Sequence, residues 1–232
     1  MQAFWDIDVR AWNWHWAPIF RKFASDLVRD AALSSGKIVL DVGTGPGLAA
    51  IQAEQKIRPG GVVLALDRSE SMVRHARSAL IKYGPRNIIF LNLDAVHAHF
   101  PNELFDVVLS NCGISYTTFS SVVSEVFRIL HKGGLFVLND WHLKDVSAHR
   151  TFGDILQKYR TDHPSRQLMF ERAAIATFER AGSRYSDLRE LARELRRARF
   201  DVIQTKYRNY RVRLKGVQKF LDMRFERAAL KH

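Results

Sequence analysis

Between residues 38 and 138 two apolar patterns alternate along the chain. Short stretches rich in branched aliphatics at 38–42, 62–66, 87–91, 105–110 and 135–138 carry few polar interruptions. Strands buried on both faces of a parallel sheet read this way, because both faces need apolar cover. Before and between them, apolar residues recur every three to four positions. Phe20, Phe23 and Leu27 follow Pro18; Val73, Ala76, Leu80 and Tyr83 follow Ser69 and Glu70; Val122, Val123, Val126, Phe127 and Leu130 fill 120–130. This spacing predicts helices with one buried side, with Ser69 as an N-cap and a further helix over 48–56. Pro59-Gly60-Gly61, Gly84-Pro85 and His131-Lys132-Gly133-Gly134 supply the breaks. Strand and helix in alternation predict a parallel sheet with helices on both faces.

Past residue 145 the periodicity weakens into helices of no fixed bounds, with a polar break at Thr161-Asp162-His163-Pro164. It sharpens again over 186–198, where Leu188, Leu191, Ala192 and Leu195 share one helical side. Arg189, Arg193, Arg196 and Arg197 share the other, and Glu190 and Glu194 are spaced to pair with arginines three residues on. Stretches 200–206 and 210–214 read as two more strands, and Val217, Phe220, Leu221 and Phe225 as a last helix.

The chemistry concentrates at 37–47, which reads Lys-Ile-Val-Leu-Asp-Val-Gly-Thr-Gly-Pro-Gly. Here a strand must turn into a helix, and glycine lets the backbone take positive φ and lie directly against a ligand. The helix that follows points its free N–H groups at the loop, which suits a carboxylate-bearing ligand. A phosphate-cradling loop would end in Gly-Lys-Ser/Thr, but Leu48-Ala49-Ala50 follows. A dinucleotide-binding turn would carry a small third residue where Leu48 stands. Asp67 closes the second strand 24 residues after Gly43, close to the ~20 at which an acid reaches a ribose diol. Asp94-Ala95 and Asn111-Cys112 follow the third and fourth strands, and Asn139-Asp140-Trp141-His142 the fifth, all at the carboxyl edge where open parallel sheets bind ligands.

From Val39 to Gly47 the stretch resembles the first motif of class I S-adenosylmethionine-dependent methyltransferases, Val-Leu-Asp-x-Gly-x-Gly-x-Gly, and the resemblance extends over 37–140. It implies a Rossmann-like three-layer α/β/α sandwich. The sheet would be mostly parallel and seven-stranded, in the order 3-2-1-4-5-7-6, with 200–206 and 210–214 as its antiparallel last strands. It also implies S-adenosylmethionine as cofactor and S-adenosylhomocysteine as product. The cofactor residues it implies are Asp41, Gly43, Thr44, Gly45 and Gly47 in the loop, Asp67 for the ribose with Arg68 beside it, and Met72 against the adenine. Asp94 and Ala95 would meet the adenine edge, and Asn111 would lie beside the methyl group. Read without the resemblance, Met72 is core filling and Asp94 a helix cap.

Trp16-Ala17-Pro18-Ile19-Phe20 is similar to the Trp-Ala-x-x-Tyr segment that covers the site in the ubiquinone/menaquinone (methyltransferase type 11) branch. Phe20 lacks the phenolic hydroxyl of that pattern. The implied layout is one domain over 1–232: a helical N-terminal lid at 1–35, a cofactor core at 36–142, a variable cap at 143–184, and closing strands and helix at 185–232. Trp16, Phe20, Cys112, Tyr116 and Trp141 are the expected acceptor-lining residues. His142 is the candidate general base, its unperturbed pKa of ~6.5 suiting proton removal.

Composition narrows the acceptor. Cys112 is the only cysteine among 232 residues, so the chain holds no internal disulfide or cysteine metal cluster, and no metal is expected. Asn111-Cys112 also resembles arsenite methyltransferases, which need several thiolates. The segment at 111–114 is not the Asp/Asn-Pro-Pro-Tyr/Phe of nucleic-acid amino-methyltransferases. No apolar run reaches the ~18 residues of a membrane span and no secretory leader is visible, so a cytoplasmic protein with no membrane span is expected. Up to residue 149 the chain has 15 Lys/Arg against 14 Asp/Glu, and after it 21 against 10, so nearly all of the +12 net charge lies in the last third. That excess fits either a polyanion partner or a solvated arginine face. The expectation is methyl transfer to a small, partly apolar acceptor such as a quinone precursor, phenol or other metabolite. The alternatives are an RNA methyltransferase using the basic last third and a cofactor-binding regulator without turnover.

Overall fold

The computed structural model describes residues 9, 13, 16–83, 87–114, 119–140, 169 and 187–211. In chain order the elements are α1 (Ala17–Asp30), β1 (Ile38–Val42), α2 (Leu48–Lys56), β2 (Val62–Asp67), α3 (Glu70–Tyr83) and β3 (Ile88–Asn92). β4 (Phe105–Asn111), α4 (Phe119–Ile129), β5 (Leu130–Asn139) and α5 (Leu188–Arg197) follow. The sheet runs β3-β2-β1-β4-β5, every neighbouring pair parallel. Its order reverses at β1, so the crevice beyond β1 and β4 is the expected ligand site.

Alternation along β1 divides the core. Val39 faces a cluster built from Ala24, Leu27 and Val28 of α1, Ala49, Ala50 and Ala53 of α2, and Val73 and Ala76 of α3. Leu40 and Val42 face the opposite layer, where Phe119, Val122, Val123 and Val126 of α4 are buried and Leu191 and Leu195 of α5 pack alongside. The alanines of α2 let that helix lie close on the sheet. Each large aliphatic buried here contributes roughly 1.5–3 kcal/mol relative to exposure.

At the amino edge, Asp106 ties three strands together. It accepts from Lys37 Nζ at 2.9 Å and from the Ile38 amide at 2.8 Å, and it lies 2.9 Å from His131 Nε2. The other ring nitrogen of His131 is 2.7 Å from the Lys132 carbonyl. With acceptors at both nitrogens the ring is best satisfied as the imidazolium, and the Asp106 bond raises the His131 pKa. Burial opposes ionisation of Asp106, yet these three donors hold its carboxyl down at about 2.

Two expectations need correction. β5 begins at Leu130, directly after α4, rather than at 135. Residues 131–134 are taken up by an irregularity in register, Phe105 pairing with Leu130 and Val107 with Leu135. The predicted sixth strand at 200–206 does not form among the described residues, where 200–211 carry no strand pairing. Phe200 instead closes α5: its amide reaches the Leu195 carbonyl at 3.1 Å while Arg199 takes φ +72° and its amide reaches Arg196. This is a Schellman ending, with Phe200 packed on Phe127 and Phe136. Its ring is thereby spent on the helix end, and Ile203 beyond it is 83% exposed. Five strands of the expected seven are described; most of the predicted seventh strand, at 212–214, and the last helix lie outside the described residues. No helix among the described residues is long and apolar enough to cross a membrane.

Candidate functional site

The glycine loop leaves β1 and is pinned from beneath by β2. The Gly43 and Thr44 amides donate to the Leu66 carbonyl at 2.9 and 3.0 Å. Gly43 (φ +68°) has no room for a side chain, since a Cβ there would lie 2.5 Å from the Gly113 Cα in the loop after β4. Gly113 is equally tight against Val42 and Gly43. The loops following the two central strands therefore touch backbone to backbone. At Gly45 a Cβ would meet no heavy atom within 4 Å. Gly47 is the N-cap of α2, in the left-handed conformation.

Three acidic or amide side chains frame this loop. Asp41 is wholly buried; its Oδ2 accepts from Thr44 Oγ1 at 2.7 Å and from the Ala50 amide, in the first turn of α2, at 3.1 Å. Burial pushes its pKa up to about 6, the two hydrogen bonds opposing and the nearby Asp67 charge adding. Asp67 accepts from the Gly45 amide at 2.8 Å through Oδ2 and from the Ser69 amide at 2.9 Å through Oδ1. The carboxylate is thus aimed by both the loop and the start of α3. Asn111, at the end of β4, donates through Nδ2 to the Phe20 carbonyl at 3.3 Å. Among the described residues two buried side-chain acceptors, Asp41 Oδ1 and Asn111 Oδ1, have no hydrogen-bond partner. These two unpartnered acceptors, one on β1 and one at the end of β4, retain hydrogen-bonding capacity that a donor group of a bound ligand would satisfy.

α1 crosses this edge. Asn139, the register partner of Asn111, donates to the Phe23 carbonyl at 3.2 Å while its Oδ1 accepts from the Cys112 amide at 3.1 Å. Two strand-end amides thus grip the backbone of α1. Trp16 and Phe20 belong to two apolar clusters at once. One contains Met72, Ala17 and Leu48; the other contains Ile19, Phe23, Cys112 and Tyr210. The aromatic row of α1 therefore bridges the α3 side and the β4 side of the loop. The Cys112 thiol is buried, which raises its pKa well above the usual thiol value and keeps it protonated.

Of the residues expected from sequence, Asp41, Gly43, Thr44, Gly45, Gly47, Asp67, Asn111 and Cys112 converge on the loop, with Met72, Trp16 and Phe20 beside it. Arg68 is half-buried next to Asp67. Asp94 turns its Oδ1 to the Val96 amide at 2.9 Å, a local turn just before Ala95. Tyr116, Trp141 and His142 lie outside the described residues. Sequence reasoning placed Asn139 at this edge without a role, and gave no site role to Gly113, Asp26 or Tyr210. The paired asparagines ending β4 and β5 were a readable signal, but nothing local marked Tyr210.

Residues 33–161, just over half of the chain, match the family described as a methyltransferase domain. The arsenite methyltransferase of Halobacterium salinarum is 31% identical over 111 residues, covering 47% of this chain and 28% of that one. The demethylmenaquinone methyltransferase of Lactococcus lactis is 34% identical over 104 residues, covering 44% of this chain and 41% of that one. The match thus spans less than half the length of either relative. Among solved structures, the YcgJ protein of Bacillus subtilis superposes with a TM-score of 0.50 at 23% identity, over 59% of this chain and 58% of that one, a likeness of fold. The chain belongs to the methyltransferase-domain family.

Proposed function

We propose that this chain transfers the methyl group of S-adenosylmethionine to a small, partly apolar acceptor that enters between α1 and the loop after β4. The observation that carries the reading is the aromatic row of α1, whose Trp16 and Phe20 join the Met72 side of the glycine loop to the Cys112 side. The cofactor supplies an activated methyl on a positively charged sulfur. Asp67 would accept from the ribose hydroxyls, a carboxylate having acceptor capacity for about four hydrogen bonds. Gly45 would give the methionine portion backbone to lie against, Asp41 Oδ1 and Asn111 Oδ1 would receive its ammonium, and Met72 would pack on the adenine. Asp94 and Ala95 would meet the adenine edge. The chain's part in the rate is to hold donor and acceptor in line and exclude water.

An arsenite acceptor is disfavoured by the one thiol being buried and protonated. RNA is disfavoured because Lys206 and Arg208, in the basic third, are committed to Asp26 and Asp30 of α1, and α5 packs on the layer away from α1. Tyr207 is 53% exposed, whereas Tyr210 packs inward. The test is transfer of tritiated methyl from the cofactor into a small-molecule cell extract and, in parallel, into total RNA at physiological salt. Label in an organic-soluble product supports the reading. Label at one RNA nucleotide, or in neither fraction, contradicts it.

A further inference from the structure

Residues 206–210 belong to no strand, yet they meet α1 through a concentrated set of polar contacts. Asp26 and Asp30, four residues apart, share one side of the helix. Lys206, Arg208 and Tyr210 fall at alternate positions, which share one side of an extended chain. Arg208 spans both acids: Nη2 donates to the two oxygens of Asp30 at 2.7 and 2.8 Å, and Nη1 lies 2.9 Å from Asp26 Oδ1. Lys206 Nζ is 3.1 Å from Asp30 Oδ2, and the Tyr210 hydroxyl donates to Asp26 Oδ2. The Tyr210 ring lies 4.6 Å from that of Phe23, within the cluster that holds Cys112 and Phe20.

The clamp grips the carboxyl half of α1, while Trp16 and Phe20, at its amino end, pack against Met72 and Leu48 beside the glycine loop. Hydrogen-bonded along its 14 residues, the helix moves as a rod, so fixing one half fixes the other. We propose that Arg208 and Tyr210 are positioning residues that hold α1 across the glycine loop and so set how slowly bound S-adenosylhomocysteine leaves. The proposal rests on the methyltransferase reading above. The amides of Asn111 and Asn139 hold only backbone carbonyls of α1, so the ionic clamp is the part of the attachment that salt weakens. Half-exposed pairs of this kind are screened as ionic strength rises.

The test is stopped-flow measurement of S-adenosylhomocysteine release from the full chain, for wild type, Arg208→Ala, Arg208→Lys and Tyr210→Phe, at low and high salt. Release is expected to quicken about tenfold in Arg208→Ala, the scale for charge-assisted bonds, and less in Tyr210→Phe, which keeps the ring on Phe23. Arg208→Lys should restore part of the loss. Wild-type release should quicken with salt, and that dependence should shrink in Arg208→Ala, where only the Lys206–Asp30 pair remains. Unchanged release in both Arg208→Ala and Tyr210→Phe overturns the proposal. Should Arg208→Ala not fold, Tyr210→Phe and the wild-type salt dependence decide. If wild type takes up no S-adenosylhomocysteine, the methyltransferase reading fails by itself. Hydrogen exchange of the α1 amides then judges the clamp, faster exchange in Tyr210→Phe supporting it and equal exchange overturning it.

Discussion

At the scale of single residues, Asp41 and Asp67 do different work with the same carboxylate. Asp41 is fully buried and its pKa is pushed up to about 6, chiefly by burial. The unfolded chain releases this proton near ~3.9, so the folded form binds it more tightly. The stability Asp41 contributes is therefore greatest below that value and falls as pH rises to about 6. Asp41→Asn has no proton to lose. Across this window wild type should lose stability relative to the variant as pH rises, as guanidinium unfolding would read; a gap that stays constant or moves the other way contradicts the assignment. Asp67 is only half-buried and is aimed by two backbone donors. Asp67→Ala should weaken S-adenosylhomocysteine binding by roughly 1.5–3 kcal/mol, and cofactor-free stability by less, since the Gly45 and Ser69 amides can turn to water. An equal loss in both measurements would make Asp67 structural. Asp41 and Asp67 could be located from sequence because each sits at a fixed offset from a glycine. Tyr210 could not, because its partner Asp26 lies 184 positions away and pairing across that distance leaves no local pattern.

At the scale of elements, the contact between the loops after β1 and β4 decides whether the site forms. Gly113 sits against Val42 and Gly43 with no space for a Cβ, so Gly113→Ala must push the two loops apart. The expected result is a stability loss of about 1–3 kcal/mol together with weaker cofactor binding, measured by denaturant titration and calorimetry. Unchanged values in both would mean that the loops part freely. The parallel strands and the helices between them were legible because strand and helix periods differ and glycine or proline marks most junctions. The start of β5 was not, because His131-Lys132-Gly133-Gly134 has the composition of a helix stop. Its extension back to Leu130 depends on Asp106 gathering Lys37, Ile38 and His131, a tertiary contact. The missing strand at 200–206 has a similar origin. Phe200 and Val202 read as alternating strand residues, but Phe200 gains more by closing α5 and packing on Phe127 and Phe136.

At the scale of the whole molecule, two layers of helices hold a parallel sheet whose order reverses at β1, and the acidic, amide and glycine residues of the site gather at that reversal. Of the basic residues in the last third, Lys206 and Arg208 are paired with Asp26 and Asp30 of α1. The central claim is that the glycine loop receives S-adenosylmethionine, and the most direct measurement is calorimetric titration of wild type and Gly45→Val with that cofactor, and of wild type with NADH. A Cβ at Gly45 meets open space beside Asp67, where the methionine portion of the cofactor would lie, and a branched side chain at φ +54° adds strain. Wild type should bind S-adenosylmethionine in the micromolar range, Gly45→Val should bind none, and NADH should give no heat. Tight NADH binding with no S-adenosylmethionine heat, or equal S-adenosylmethionine affinity in Gly45→Val, would contradict the claim.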